Sequence, residues 1–185
     1  IKIFGRSYPT LSNLEVYENF ASPCAGGISI EHRGYTRHSV LITNCVFREN
    51  RAMVTGSAID LLRGSAAEIR NCLFVGNISN LGTEYEPVKG NMAWPGMAEL
   101  MATTFGYLPE HGSGALTVFE RSFAIVDRCT FTGNWNGVDD RSLKSRYLNS
   151  IFWRNNATGG KRAGKRYELD VTRRFAVTNC FIRGE

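Results

Sequence analysis

The amino-acid sequence predicts an all-β fold: a right-handed single-stranded parallel β-helix of about six coils with one long insertion. Three observations lead to this prediction. A seven-residue motif, Asn-Cys-x-Phe-x-x-Asn, recurs along the chain, and short alternating apolar and polar segments recur between its copies. One interval between copies is about twice as long as the others. Similarity at intervals of 20–50 residues is typical of solenoids, in which equivalent units stack on one another.

Six copies of the motif can be aligned, and the first and last of them are weaker. They begin at Asn13, Asn44, Asn71, Arg128, Asn149 and Asn179. The start-to-start spacings are 31, 27, 57, 21 and 30 residues. One unit alone cannot bury its apolar face, whereas stacking at about 4.8 Å per coil buries a continuous interior. We therefore expect inward-facing columns of Cys and Phe, with Asn at the corners, where stacked amides can hydrogen-bond between coils.

Two further strands are predicted in each coil, because alternating runs lie ahead of the motif. The first set is Ile28-Ser29-Ile30, Ile59-Asp60-Leu61, Leu116-Thr117-Val118 and Tyr167-Glu168-Leu169. Three of its members follow pairs of small residues: Gly26-Gly27, Ser57-Ala58 and Gly114-Ala115. The second set precedes the motif directly, at Val40–Ile42, Ala67–Ile69, Ile125–Asp127 and Ala176–Val177. Each coil should thus present one apolar face to the interior.

The interval of 57 residues is interpreted as one coil that carries an insertion. After Asn77, the small-residue pair expected within about seven residues appears only at Gly114-Ala115, so residues 80–111 leave the coil. Met92 to Tyr107 shows a short helical pattern. Long loops on solenoids often contact a partner. The candidate partner-binding residues in this loop are Trp94, Met97 and Met101.

The repeated motif and the Gly-Gly and Gly-Ala elements resemble right-handed β-helices of the pectin-lyase-like superfamily, in particular generic bacterial repeat proteins. The resemblance covers about residues 11–185 apart from the insertion. It implies the fold and an extracytoplasmic location, whether periplasmic, cell-surface or secreted. It implies no particular activity, because the repeated residues are those that build the coil.

Composition and charge limit the expected partners. The 185 residues carry a formal net charge of +5, and the sequence pI is near 9.1. This favours acidic partners, and we expect another protein chain or an acidic polysaccharide rather than nucleic acid. No apolar run approaches the roughly 18 residues of a membrane span. The chain opens on a strand-like segment, and its last motif stops at Glu185. We therefore expect one domain, 1–185, excerpted from a longer protein.

The cysteines and histidines predict no metal site or cofactor. Four cysteines occupy the same motif position, where we expect inert stacking in the core, since Cys behaves as a small buried hydrophobe. They are Cys45, Cys72, Cys129 and Cys180. Cys24 stands outside this column and is the candidate for intermolecular pairing. The histidines, His32, His38 and His111, are expected in surface loops, because their spacing matches neither a metal triad nor a Ser/His/Asp arrangement.

Asp139 and Asp140 are the candidate catalytic residues. Together with His111-Gly112-Ser113-Gly114, they echo two fragments of polygalacturonase motifs, although in the reverse order and without the other two fragments. We interpret the pair as part of a turn after Asn136-Gly137, where Asp favours local backbone hydrogen bonds. Calcium would be a cofactor only if the chain were an enzyme of the lyase type.

A basic run is the most distinct surface feature of the sequence. The candidate ligand-binding residues in it are Lys161, Arg162, Lys165 and Arg166. Stacking could add Lys144, Arg146 and Arg173-Arg174 to the same side, and Trp135 and Trp153 either stack on sugars or pack at corners. Two functions remain open. One is a non-catalytic scaffold or binding subunit that docks on a protein or an acidic glycan. The other is a fragment of a polysaccharide lyase or glycoside hydrolase.

Overall fold

The computed structural model describes residues 1–21, 25–33, 38–52, 55–79, 114–155 and 167–183. In this part of the chain the regular structure is β-strand, apart from one 3₁₀ turn at Arg174–Ala176. Three parallel sheets contain six strands each, and β4 and β8 form a small fourth sheet. The prediction of an all-β fold with stacked parallel strands is confirmed, and the arrangement is compatible with a parallel β-helix.

The strands fall into the sheets as follows. The first sheet contains β1 (Lys2–Phe4), β5 (Ile28–Glu31), β9 (Ile59–Leu62), β12 (Leu116–Val118), β15 (Val138–Asp140) and β18 (Leu169–Val171). The second contains β2 (Thr10–Ser12), β6 (Val40–Thr43), β10 (Ala66–Arg70), β13 (Phe123–Asp127), β16 (Arg146–Leu148) and β19 (Val177–Thr178). The third contains β3 (Glu15–Tyr17), β7 (Val46–Arg48), β11 (Leu73–Val75), β14 (Thr130–Thr132), β17 (Ile151–Trp153) and β20 (Phe181–Ile182). The small sheet pairs β4 (Phe20–Ala21) with β8 (Arg51–Ala52).

The chain visits the first, second and third sheets in that order and then returns to the first. We call each such passage a repeat. Every pair of neighbouring strands is parallel, so equivalent residues of successive repeats lie side by side; Phe47 is aligned with Phe74, and Phe74 with Phe131. The two repeats that flank residues 80–111 are direct neighbours, because β9 pairs with β12. Residues 80–111 themselves lie outside the described residues.

The motif phenylalanines form a column through the core, as predicted. Phe47, Phe74, Phe131 and Phe152 are fully buried. Their rings stack with centroid distances of 4.9, 4.2 and 5.0 Å along the column. Offset or parallel stacking at such distances adds to the stability gained from burying the rings.

Three of the four motif cysteines form a second buried column, as predicted, whereas Cys180 is only partly buried. The amide of Cys45 donates to Sγ of Cys72 (3.5 Å), and the amide of Cys72 donates to Sγ of Cys129 (3.4 Å). The amide of Cys129 donates to Oγ of Ser150 at 3.0 Å, which explains why a serine can replace the cysteine in that repeat. The described thiols are free, and burial raises the pKa of Cys45. Cys24 lies outside the described residues.

The first asparagine of the motif forms the bend between the second and third sheets. At this position Asn13, Asn44, Asn71, Asn149 and Asn179 have φ between 49° and 56°. Asparagine adopts this left-handed conformation more readily than other residues with a side chain, since its short amide can hydrogen-bond locally. The position therefore selects asparagine for backbone geometry.

The last asparagine of the motif forms a hydrogen-bonded ladder inside the corner after the third sheet. Its members are Asn19, Asn50, Asn77, Asn134 and Asn155, and all but Asn19 are fully buried. Each Nδ2 donates to Oδ1 of the next member, at 2.9, 3.0, 2.8 and 2.8 Å. The same Oδ1 accepts the backbone amide of the preceding member, at 2.9–3.3 Å. From Asn50 onward, Nδ2 also donates to a carbonyl of the preceding repeat, such as Phe47 O for Asn77 at 2.9 Å. Every polar atom of a buried amide is thus satisfied.

Glu168 ends this ladder. Its Oε2 accepts both the side-chain amide of Asn155 (2.7 Å) and the backbone amide of Asn155 (2.9 Å). A carboxylate can take the place of an amide here because only an acceptor is required. The Glu168 carbonyl also lies against Gly137, where a Cβ would approach it to 2.2 Å. This close approach explains why small residues precede the strands of the first sheet.

Two sequence interpretations are wrong. Asp139 and Asp140 belong to β15, not to a turn, because their backbones pair with β12 on one side and β18 on the other. The sixth strand of the first sheet is Leu169–Val171 rather than 167–169, since Val138 is aligned with Leu169. Both errors arise in repeats where charged residues interrupt the apolar alternation of the strand.

Asn134→Ala should lower the free energy of unfolding by about 3 kcal/mol, because it leaves buried partners above and below without hydrogen bonds. Chemical denaturation measures this change. Asn71→Gly is the matched control: it removes an exposed amide at the other motif position but keeps a residue that adopts positive φ. We expect a change below about 1 kcal/mol for the control. Equal losses in the two variants would contradict the role of the ladder.

Candidate functional site

The candidate site is a basic groove at the corner between the first and second sheets. It consists of two adjoining depressions of about 530 and 440 Å³ that share Leu143 and Lys144. The first is lined by Glu120, Arg121, Ser122, Arg141, Ser142, Leu143, Lys144 and Thr172. The second is lined by Leu143, Lys144, Ser145, Arg146, Arg173, Phe175 and Ala176. The groove thus spans the corners that follow β12, β15 and β18.

Asp140 organises the floor of the groove. Its carboxylate accepts hydrogen bonds from the amide of Ser142 (2.6 Å) and the hydroxyl of Tyr147 (2.7 Å). Its carbonyl accepts from the amide (3.2 Å) and the hydroxyl (2.9 Å) of Thr172 in the next repeat. Burial raises the pKa of Asp140, and the hydrogen bond from Tyr147 opposes this shift. The side chain therefore shapes the segment between β15 and β16, and the backbone carbonyl joins this segment to Thr172 after β18.

Asp139 holds one of the groove's cations in place. Its Oδ1 lies 3.1 Å from Nε of Arg141, and only 5% of the residue is exposed. The structure thus places both candidate catalytic aspartates beneath the groove, Asp139 beside Arg141 and Asp140 beneath the corner. Their catalytic role stays a prediction. In the fold, Asp139 holds Arg141 and Asp140 shapes the segment after β15.

The groove has a strongly positive lining. It contains Arg121, Arg141, Lys144, Arg146 and Arg173, against the single acidic side chain of Glu120. The sequence had suggested that Lys144, Arg146 and Arg173 could share one side, and the structure brings these three together. Arg121 and Arg141 were missed because they lie 20 residues apart in the sequence. Aligning the strands of the first sheet would have placed them one repeat apart.

Several other predicted site residues cannot be placed. The candidate ligand-binding residues Lys161, Arg162, Lys165 and Arg166 lie outside the described residues. The same holds for Trp94, Met97 and Met101, and for His111. These assignments stay predictions.

Asp60 lies on the outer face of the first sheet, aligned with Thr117 and, one strand further, with Asp139. It is fully buried, and its Oδ2 accepts a hydrogen bond from Thr55 Oγ1 at 2.8 Å. The pKa of Asp60 is raised to about 7, mainly by burial, with a smaller contribution from the nearby charge of Asp139. Among the described residues, no group of three or more His, Cys, Asp or Glu side chains is placed to hold a metal ion.

His32 corrects the expectation that the histidines lie in surface loops. It is fully buried at the corner after β5, where its Nε2 lies 3.2 Å from the carbonyl of Ser7. Burial lowers the pKa of His32. The ring of Tyr8 lies between His32 (4.8 Å between centroids) and the exposed His38 (5.3 Å). His32 is thus part of the packing at this corner.

The two described tryptophans differ in their surroundings. Trp135 is buried in the corner after the third sheet, so it packs rather than offering a platform for a sugar. Trp153 is 37% exposed on the third sheet, with the guanidinium groups of Arg183 and Arg154 at 5.4 and 5.9 Å from its ring. Neither tryptophan lines the basic groove.

Comparisons with protein-family models, curated proteins and solved structures find no match to this chain. Among the described residues, no helix has the length and apolarity that a membrane crossing requires. The geometry and charge of the groove are therefore the features that indicate a function.

The buried carboxyl group of Asp60 predicts a pH-dependent stability. In the folded protein the carboxyl group of Asp60 stays protonated up to about pH 7. In the unfolded chain it loses this proton near the usual pKa of 3.8. The free energy of unfolding should therefore fall as the pH rises from about 4 to about 7, by roughly 4 kcal/mol, and then level off.

The test is urea denaturation of the wild type and Asp60→Asn across this pH range. Asparagine keeps an acceptor for Thr55 but cannot ionise. The difference in unfolding free energy between the two proteins should therefore change with pH in favour of the variant at high pH. A difference that stays constant from pH 4 to pH 8 would contradict the assignment.

Proposed function

We propose that this chain is a right-handed β-helix of six coils and of the pectin-lyase-like type. In this proposal it acts as a non-catalytic, extracytoplasmic binding module or scaffold whose ligand is an acidic polysaccharide. The observation that carries the proposal is the basic groove, where five cationic side chains line adjoining depressions beside one acidic side chain.

The groove has the chemistry that an acidic sugar requires. Arginine presents a planar set of donors that matches a carboxylate or sulfate, and Lys144 adds a more mobile charge. Phe175 is 87% exposed and can cover the apolar face of a sugar ring. Thr172 and Ser142 supply polar groups between these side chains. The groove is open, as a site for a long polymer must be.

The burial and the contacts of the carboxylates favour a non-catalytic function. Glycoside hydrolysis needs two carboxyl groups that face the substrate at a defined separation. Asp139 and Asp140 are buried and bound to Arg141, Ser142 and Tyr147. Glu120 is the one acidic side chain among the residues that line the groove.

One observation favours the alternative, a polysaccharide lyase or hydrolase. Asp60 and Asp139 lie two strands apart on the outer face of the first sheet. Asp60 has a raised pKa, whereas Asp139 pairs with Arg141. In many enzymes two carboxyl groups differ in this way, and one acts as the acid and the other as the base. Incubation with polygalacturonate and calcium decides the matter. Unsaturated product from a lyase, or new reducing ends from a hydrolase, that disappear in Asp139→Ala or Asp140→Ala would overturn the non-catalytic proposal.

Docking on another protein chain through the insertion is the second way in which the chain could act as a scaffold. The residues proposed for it are Trp94, Met97 and Met101. This proposal is separate from glycan binding, because the insertion and the groove consist of different residues. Cross-linking at position 97 in cell extract, with identification of the captured chain by mass spectrometry, would test it.

The double variant Lys144→Gln/Arg173→Gln should bind polygalacturonate about tenfold more weakly, because two charge contacts of roughly 0.7 kcal/mol each are lost. Calorimetric titration at low and moderate salt measures the effect, which should shrink as salt screens the charges. Arg128→Gln is the matched control, an exposed arginine on the corner between the second and third sheets.

Two results would contradict the assignment of the groove. One is unchanged affinity in the double variant, and the other is an equal loss in the control. A third variant, in which Lys161, Arg162, Lys165 and Arg166 are all alanine, tests whether the basic run contributes. Unchanged retention of this variant on a heparin column would remove the run from the binding site.

A further inference from the structure

An arginine follows every described strand of the first sheet within three residues. The six arginines are Arg6, Arg33, Arg63, Arg121, Arg141 and Arg173. The basic groove contains only the last three of them. The other three occupy the same corner in the first three repeats, outside the groove.

Strand register places these arginines in a row at the same corner of successive repeats. Ile3, Ile30, Leu61, Val118, Asp140 and Val171 are aligned across the first sheet, and each arginine follows its aligned residue by one to three positions. Side chains of this row contact residues of neighbouring repeats. Arg33 and Arg63 both reach Glu31, at 3.1 and 3.0 Å. Arg173 donates to the carbonyl of Leu143 at 2.9 Å. Five steps of about 4.8 Å give the row a length of about 24 Å.

Backbone geometry does not explain the choice of arginine. Arg33, Arg63 and Arg121 have φ of 53°, 51° and 65°, a conformation that favours glycine, asparagine or aspartate. At the bend between the second and third sheets, the same conformation is met by asparagine in five of the six described repeats and by Arg128 in the other. The positive φ at these corners therefore does not by itself select arginine.

The row carries a net positive charge. In the first three repeats, Glu31 is the acidic partner of Lys2, Arg33 and Arg63, so one carboxylate faces three cations. Its side chain is only 9% exposed, whereas Arg33 and Arg63 are about half exposed at 54% and 41%. The cations therefore reach solvent while the acid that orients them does not.

We propose that this arginine row is a continuous binding track for a linear acidic polysaccharide with an anionic group on each sugar residue. The polymer lies along the stacking direction and presents about one anionic group to each repeat. This inference rests on the proposed function and extends it from the groove to all six repeats. The strand spacing of about 4.8 Å is close to the length of one sugar residue in an extended chain. It differs from the roughly 3.4 Å per nucleotide of one strand of duplex DNA.

The experiment compares oligogalacturonates of two lengths. Oligomers of about three residues fit within the groove, and oligomers of about twelve exceed the whole row. The distal variant, Arg6→Gln/Arg33→Gln, leaves the groove intact and leaves Arg63 and Lys2 beside Glu31. It should bind the short oligomer like the wild type and the long one at least fivefold more weakly. Arg128→Gln should change neither affinity.

Each other outcome overturns a stated part of the proposal. If the distal variant binds the long oligomer normally while Lys144→Gln/Arg173→Gln does not, the groove is the whole site and the track does not exist. If the wild type binds neither oligomer, the proposed function itself fails. Tighter binding of duplex DNA, or of vesicles rich in phosphatidylserine, would overturn the assignment to a polysaccharide. Thermal unfolding checks the fold of each variant, and Arg6→Gln/Arg63→Gln, which also leaves the groove intact, replaces the distal variant if that protein does not fold.

Discussion

The structure depends on a buried hydrogen-bond ladder in which each asparagine side chain joins its own repeat to both neighbours. Toward the preceding repeat, the side chain of Asn77 accepts the backbone N–H of Asn50 and donates to the carbonyl of Phe47, and toward the following repeat it donates to Oδ1 of Asn134. An unpaired polar group at such a place would cost roughly 1–3 kcal/mol. A shift in register between two repeats would break several of these bonds at once. The ladder therefore fixes which residues stack.

The other columns follow from that fixed register. Phenylalanine meets phenylalanine and the cysteine amides meet sulfur because the ladder sets the same alignment in every repeat. At the outer corners the same rule brings together residues that are far apart in sequence. Arg121 and Arg141 line one groove for this reason, and Asp140 can bind Thr172 of the following repeat. The candidate site is thus a product of stacking rather than of any local motif.

The sequence was sufficient to predict what the repeat determines. The motif positions identified the buried Cys and Phe columns and the corner asparagines, and the long interval placed β9 beside β12. Prediction failed where one residue departs from the pattern. β15 was missed because Asp140 occupies an apolar strand position, where Tyr147 and Ser142 satisfy its carboxylate. The role of Glu168 in the ladder was not predicted, because this residue stands in the segment before β18 and not in the motif. Only part of the groove, Lys144, Arg146 and Arg173, was predicted, because Arg121 and Arg141 belong to different repeats and lie in no run of charge.

The ladder has a direction, since each asparagine from Asn19 to Asn134 donates its Nδ2 hydrogen to the Oδ1 acceptor of the next repeat. The two faces of an internal repeat are therefore complementary in the same sense everywhere along the stack. A gene that duplicated or lost one whole repeat between two others would create a junction with the same donors and acceptors as before. Such a change would also add or remove one corner arginine. Evolution could thus lengthen or shorten the arginine row by one repeat at a time without changing the packing of the interior.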